Sequence, residues 1–258
     1  MHLSGKLFYL LVLFVLFCSN GAWCMDSESF FDPQKRSRRG IWIVPATEKH
    51  YNIIASFNAS KDFLHEGHRP VLNEIKKFLD KNFKVTFIIG IESAVILSYN
   101  RSRETQSRFL ETATQNANSI IREIQQYLNL GPENDVEFIN DTGIFSGMSC
   151  NDFLKFASFE QPLSVLNGLS AFDFLCSSLG QINLDDLYPH VEAMNYKIAD
   201  QADPDKISII VGGENQIINI NRGLAICDYS TAYILPLVFG EDGNKMGESN
   251  GNTVPLFH

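Results

Sequence analysis

The sequence predicts an α/β domain of Rossmann-like type, a doubly wound, mainly parallel sheet flanked by helices and preceded by an N-terminal hydrophobic leader. Three observations carry that expectation. Apolar runs of strand length alternate with amphipathic stretches of helix length. The first run, the helix after it and the second run make a strand–helix–strand unit, from which parallel sheets are built. The chain has 258 residues, 45% of them hydrophobic, enough to bury a substantial core without staples.

The elements follow in order. Gly40-Ile-Trp-Ile-Val-Pro45 is a short apolar run that reads as an edge strand closed by its proline. Tyr51–Phe57 reads as a buried strand. Pro70–Leu79 carries apolar residues at 71, 72, 75, 78 and 79, a helical stripe opened by a first-turn proline. Phe83–Ile89 is the second buried strand. A long polar-faced helix is expected over Arg103–Leu130, stopped by Gly131-Pro132. Val136–Ile139 is a third strand, residues 149–180 read as helical with a break near Pro162, and Asp185–Gln201 is a further helix. Ile207–Val211 is a fourth strand, bounded by Gly212-Gly213, and short apolar runs lead to a polar end. The expected organisation is therefore a leader over 1–24, a basic linker over 25–39, the α/β domain over 40–240 and a polar C-terminal tail over 241–258.

Lys6 precedes the twelve apolar residues Leu7–Cys18, and Ser19-Asn-Gly-Ala22 follows. A basic flank, a short apolar core and small residues describe a secretory signal peptide. The core is shorter than the ~17–25 residues that span a bilayer. A secreted or periplasmic location is expected on length. Lys35-Arg-Ser-Arg-Arg39 favours the alternative, a domain anchored to the membrane by this segment and facing the cytoplasm. The net charge of −9 repels phosphate backbones unless a local basic strip overcomes it.

Little of the usual chemistry is signalled. The five cysteines form no CxxC, and Cys176 reads as a core thiol. No glycine-rich loop follows the first strand, so no cofactor is expected. Gly143-Ile-Phe-Ser-Gly147 lacks the spacing of a hydrolase elbow. His65-Glu-Gly-His68 lacks zincin spacing and reads as a surface loop. Asn58, Asn100 and Asn140 begin glycosylation sequons. More pointed are the small and hydroxyl side chains of Ala55-Ser-Phe-Asn58 at a strand's C-terminal end, where doubly wound folds place their sites. Much later one helix carries Tyr188/Glu192 and Tyr196/Asp200, each pair one turn apart so that phenol and carboxylate share a face. Such a carboxylate can hold an ammonium, and a phenol can relay a proton.

Taken in order, these parts resemble the tRNA-dependent cyclodipeptide synthases. Ile53-Ile-Ala-Ser-Phe-Asn58 lies where that family has its first motif, Arg103–Leu130 where it has its long helix, and Ile207–Val211 where a strand follows its Tyr/Glu helix. The resemblance implies an aminoacyl transferase that forms a cyclic dipeptide from aminoacyl-tRNAs through a seryl ester. Ser56 would then be the nucleophile, Asn58 a substrate-binding residue, and either Tyr188/Glu192 or Tyr196/Asp200 the pair that holds the amino group. Ser56 fits with a one-residue offset, since keeping Asn58 in register puts Ala55 at the serine position. The partner implied is aminoacyl-tRNA. The alternative is an exported, non-catalytic binding or effector protein that keeps the scaffold.

Overall fold

The computed structural model describes residues 51–102, 106–157, 168–176, 187–226, 231–247 and 251–257. The expected leader, basic linker and Gly40–Pro45 strand lie outside the described residues, as do the break near Pro162 and Cys227.

Strand β1 is Tyr51–Asn58. A 3₁₀ turn, Glu66–His68, leads into helix α1, Arg69–Leu79, with Pro70 in its first turn. A first-turn proline costs no hydrogen bond, and the expected stripe of Val71, Leu72, Ile75, Phe78 and Leu79 is buried. Strand β2 is Lys84–Gly90, and helix α2, Glu92–Ser102, follows it at once. The sequence pattern did not announce α2, because a helix packed against several others shows no single apolar stripe. The long helix is α3, Gln106–Leu128. It stops where Asn129 adopts a left-handed φ of 51° just before Gly131-Pro132.

Strand β3, Val136–Asn140, is followed by the short helices α4 (Ile144–Gly147), α5 (Cys150–Phe156) and α6 (Ala171–Cys176). Helix α7 is Tyr188–Ala202, again with its proline in the first turn. Strand β4 is Ile207–Gly213; a 3₁₀ turn, Glu214–Gln216, then helix α8, Ile217–Ile226, and strand β5, Thr231–Leu235, complete the series. Among the described residues no helix is long and apolar enough to cross a membrane.

The five strands are all parallel, in the order β3-β2-β1-β4-β5. Chain direction across the sheet reverses between β1 and β4, and a doubly wound fold binds its ligands at such a reversal. Side chains alternate between the faces. Ile53, Ala55, Phe57, Val85, Phe87 and Ile89 enter the larger core. Ile54, Ile88 and Ile210 pack on the other face with Tyr196, Ala199 and Ile220 from α7 and α8. Cys150 and Cys176 are free, buried thiols, and burial pushes Cys176 up to about 12.

Two buried carboxylates lock the first helix after β2. Asp141 accepts hydrogen bonds from the backbone N–H groups of Ile91 (2.6 Å), Glu92 (2.8 Å) and Ser93 (2.9 Å). These are the unpaired donors at the N-terminus of α2, which any helix must satisfy from outside itself. In return Glu92 accepts from the N–H of Phe145 (2.8 Å) and from the hydroxyl of Ser146 (2.6 Å), holding α4. Gly143, at φ 83°, turns the chain into that contact. Asp141→Ala leaves three buried donors without an acceptor, and chemical denaturation is expected to show a loss of about 3 kcal/mol or more. Asp141→Asn, which keeps one acceptor oxygen, is expected to lose roughly half as much.

Candidate active site

β1 pairs with β4 only over Tyr51–Ile54, whereas its pairing with β2 continues to Asn58 opposite Gly90. Past Ile54 and Ile210 the two central strands therefore separate at their C-terminal ends. The gap is a cavity of about 290 Å³. Ser56 and Asn58 from β1 and Glu192 from α7 line one side of it, Gly212 and Gly213 of β4 another. His65, His68 and Lys245 also line it.

Strand alternation explains the polar side. Residues 52, 54, 56 and 58 face α7, and the last two pass beyond Ile54 into the gap. Asn58 Nδ2 donates to Glu192 Oε1 at 2.6 Å. Behind them Ser93 Oγ donates to Asn58 Oδ1, and Asn195 Nδ2 donates to Ser93 Oγ, both at 3.2 Å. Gly90 makes this chain possible, because a Cβ there would collide with Ser93 Oγ and Asn58 Oδ1. A Cβ on Gly212 would sit 2.7 Å from Ile220 Cδ1.

Glu192 is almost wholly buried, and that burial pushes its carboxyl above the usual carboxylate range. The Asn58 hydrogen bond pulls it down, the negative charge of Asp141 pushes it further up, and the Ser56 hydroxyl pulls it down. The Ser56 hydroxyl nevertheless forms no hydrogen bond of sound geometry, and Asn195 Oδ1 also has no partner. Ser56 thus lies beside the carboxylate, close enough to be felt electrostatically and not aligned to donate.

The histidines form the other polar group. Their rings lie tilted at 35° to one another, 3.9 Å between centroids. His68 Nδ1 accepts from the N–H of His65 at 3.2 Å, and His65 Nδ1 accepts from the N–H of Gly67 at 3.1 Å. Burial, and then the neighbouring imidazole, lower His68 to about 3. His65 is lowered by burial first and by Lys245 second. Both rings are therefore neutral at pH 7, with Nδ1 as acceptor and the proton on Nε2. Two N–H donors of fixed tautomer result, immediately before the N-terminus of α1. The surface-loop expectation for this stretch is corrected, because the turn is held by Leu256 N–H to Leu64 O and Glu66 N–H to Val254 O, both 2.8 Å. Among the described residues no cluster suited to a metal ion is present.

Of the residues singled out from the sequence, the structure brings together Ser56, Asn58, Glu192 and Tyr196, which all line the cavity. They mix the two Tyr/acid pairs. Tyr188 packs against the main core. Asp200 accepts from the Ser208 hydroxyl, and Ser208 lies opposite Asn52 towards the start of the central strands, away from the cavity. Tyr196 rests on α8, where a Cβ on Gly223 would come within 2.7 Å of its ring. The sequence reading weighed His65 and His68 as a pair and took them for a surface loop, and it did not name Lys245; the two histidines three residues apart just ahead of Pro70 were the signal available.

Comparison with known proteins decides the family. The family described as "tRNA synthetases class I (W and Y)" matches residues 46–257. The chain belongs to that family. It is similar to the tyrosine–tRNA ligase of Mycoplasma mycoides, with 25% identity over 235 residues, 83% of this chain and 52% of the relative. The tyrosine–tRNA ligase of Desulfotalea psychrophila is 28% identical over 215 residues, 78% of this chain and 49% of the relative. The chain thus spans about half the length of the curated relatives it matches. Among solved structures, the tyrosyl-tRNA synthetase of Archaeoglobus fulgidus, complexed with L-tyrosine, superposes with a TM-score of 0.53 at 16% identity, over 83% of this chain and 62% of that one. A truncated mitochondrial tyrosyl-tRNA synthetase of Coccidioides posadasii gives 0.53 at 14%, over 76% and 61%. At these identities the superpositions show the shared fold.

Membership of the synthetase family corrects two expectations. The cyclodipeptide synthases are structurally related to this class, so the resemblance reported the fold; the family matched is the synthetases, and the cyclic-dipeptide transferase reading falls. The rival reading, an exported non-catalytic effector in the periplasm or outside the cell, falls with it, because the family matched and the relatives are tRNA ligases. The membrane-anchored alternative rested on the leader, which lies outside the described residues.

The buried carboxyl has a consequence for stability. A carboxyl raised in the folded state stabilises the fold at pH below its unfolded value, and that stability is lost as pH rises through the folded value. Glu192→Gln keeps an acceptor for Asn58 and cannot ionise. Thermal midpoints measured from about pH 4 to about pH 8 are expected to shift in favour of the variant as pH rises.

Proposed function

We propose that the chain is the amino-acid-activating part of an aminoacyl-tRNA ligase, with tyrosine the first substrate to try and tRNA the acceptor. The observation that carries this reading is the cavity between β1 and β4, which sets a buried carboxylate opposite two neutral histidines and a lysine. An amino acid offers an ammonium and a carboxylate, and the cavity offers groups for both. Joining a carboxylate to a hydroxyl as an ester is uphill in water and needs prior activation by a phosphoanhydride. The Nε2–H donors of His65 and His68, the N-terminus of α1 and Lys245 are suited to phosphate oxygens. Tyrosine is supported by the names of the relatives and by the family's W and Y description.

Covalent catalysis is not required of Ser56 in this reading, whose hydroxyl and the Asn58 amide shape the ammonium side of the cavity. A chain of net charge −9 holds a phosphate backbone weakly, so tRNA binding by this chain is expected to be weak.

The test is amino-acid-dependent exchange of labelled pyrophosphate into ATP, with each standard amino acid supplied singly. One amino acid is expected to give exchange, and His68→Ala is expected to lower its rate by about a hundredfold, the effect of removing one donor to a developing charge. Folded protein that exchanges with no amino acid at all would overturn the reading.

A further inference from the structure

The chain near Lys245 is built around one amide. Residues 238–246 form a tight hairpin, closed by Met246 N–H to Val238 O and Gly240 N–H to Asn244 O, both 2.8 Å, with Phe239 opposite Lys245. Lys245, on the returning arm, lines the cavity. The Asn252 side chain uses both ends of its amide on this hairpin. Its Nδ2 donates to Lys245 O at 3.1 Å and to Asp242 Oδ1 at 3.0 Å, and its Oδ1 accepts from the Gly247 N–H at 3.0 Å. The backbone is thus held at Lys245 and again just beyond it. A Cβ on Gly240 would lie 2.9 Å from Asn252 Nδ2, so the glycine gives the amide its seat.

The segment that carries Asn252 is joined directly to the histidine turn. Glu66 N–H donates to Val254 O and Leu256 N–H to Leu64 O, both at 2.8 Å, and His65 lies opposite Pro255. From the other side, Glu123 of α3 accepts from the Leu64 N–H at 2.6 Å. The turn bearing His65 and His68 is therefore fixed between α3 and residues 254–256. Lys245 and the histidines, far apart in sequence, are both referred to one short piece of chain.

We propose that Asn252 is a positioning residue: it holds the Lys245 backbone in register with the histidine turn, so that the Lys245 ammonium and the two imidazoles converge on one phosphate group. The proposal rests on the amino-acid-activating reading above for phosphate as the ligand, and adds what aligns the two halves of the phosphate side. A lysine carries its charge on a flexible four-carbon stem, so the charge is placed only as well as its backbone is. Asparagine suits the position because its amide donates and accepts at once. An aspartate would lose the donors and set a second negative charge against Asp242.

Calorimetry of the full chain with inorganic pyrophosphate tests this in a double-mutant cycle. Lys245→Ala and Asn252→Ala are each expected to weaken binding by about tenfold, the first by removing a charged donor and the second by misplacing it. The double variant is expected to bind no more than about twofold more weakly than Lys245→Ala, because Asn252 acts through Lys245. A merely structural asparagine would add its loss to that of the lysine. In the exchange reaction, Asn252→Ala is expected to raise KM for ATP about tenfold and to leave KM for the amino acid within about twofold. Unchanged binding in Asn252→Ala, additive losses, an equal rise in both KM values, or no binding of pyrophosphate by the wild-type chain overturns the positioning role. Should Asn252→Ala fail to fold, Asn252→Asp, which keeps an acceptor for Gly247 and loses the donors, enters the cycle with the same expectation. A coupled loss in the cycle without exchange for any amino acid sinks the ligase reading and leaves the positioning role standing; exchange with additive losses does the reverse.

Discussion

Strands β1 and β4 hydrogen-bond over their first halves and then separate, and the site depends on that separation. Between Tyr51 and Ile54 the register with Ile207–Ile210 is continuous. Beyond it β1 stays paired with β2, so only its β4 side is released. Side chains that point to the α7 face change character at the same place: Ile54 belongs to the apolar cluster with Ile210 and Tyr196, whereas Ser56 and Asn58 line the opening. Had pairing continued, Ser56 and Asn58 would face a closed sheet and Glu192 would have no cavity to border. The glycines at both strand ends serve the same geometry, Gly90 by admitting the Ser93–Asn58 contact and Gly212 by leaving room for Ile220.

Asp141 settles which helix terminus is open to a ligand. The N-terminus of α2 follows β2 directly and would attract an anion, as helix N-termini after parallel strands do. It is closed from within, because the Asp141 carboxylate takes three of its N–H groups. The groups that remain suited to an anion are those at the start of α1, where two neutral imidazoles and Lys245 line the cavity. The same carboxylate pushes up the Glu192 carboxyl. One buried charge thus fixes a helix, takes up the donors that an anion would need there and pushes the neighbouring carboxyl upward.

Much of the fold was legible because its periodicities are local. The four strands over 51–57, 83–89, 136–139 and 207–211, the α1 stripe and the helix ending near Gly131 need only apolar spacing and breakers to be read. Helix α2 was not legible, since burial on several sides erases amphipathicity. The site was half legible. Ser56, Asn58 and the acids of α7 were found from strand ends and one-turn spacing, but that spacing pairs each tyrosine with its own acid. The fold instead places Glu192 with Tyr196 at the cavity and ties Asp200 to Ser208 at the far end. His65 and His68 look like a solvated loop in sequence because what buries them is the chain near Val254–Leu256, almost two hundred residues later. Family, too, lay beyond the order of elements, since structurally related classes share that order.

A buried acid without a cation is a weakness in a fold that has alternatives, and Glu192 could be a glutamine with little change in shape. The neighbouring acids show how the chain neutralises a carboxylate when structure is all that is required: Glu92 and Asp141 are surrounded by backbone donors. At Glu192 those donors are lacking, and the missing partner faces a cavity. Leaving such a group without full compensation costs the fold stability.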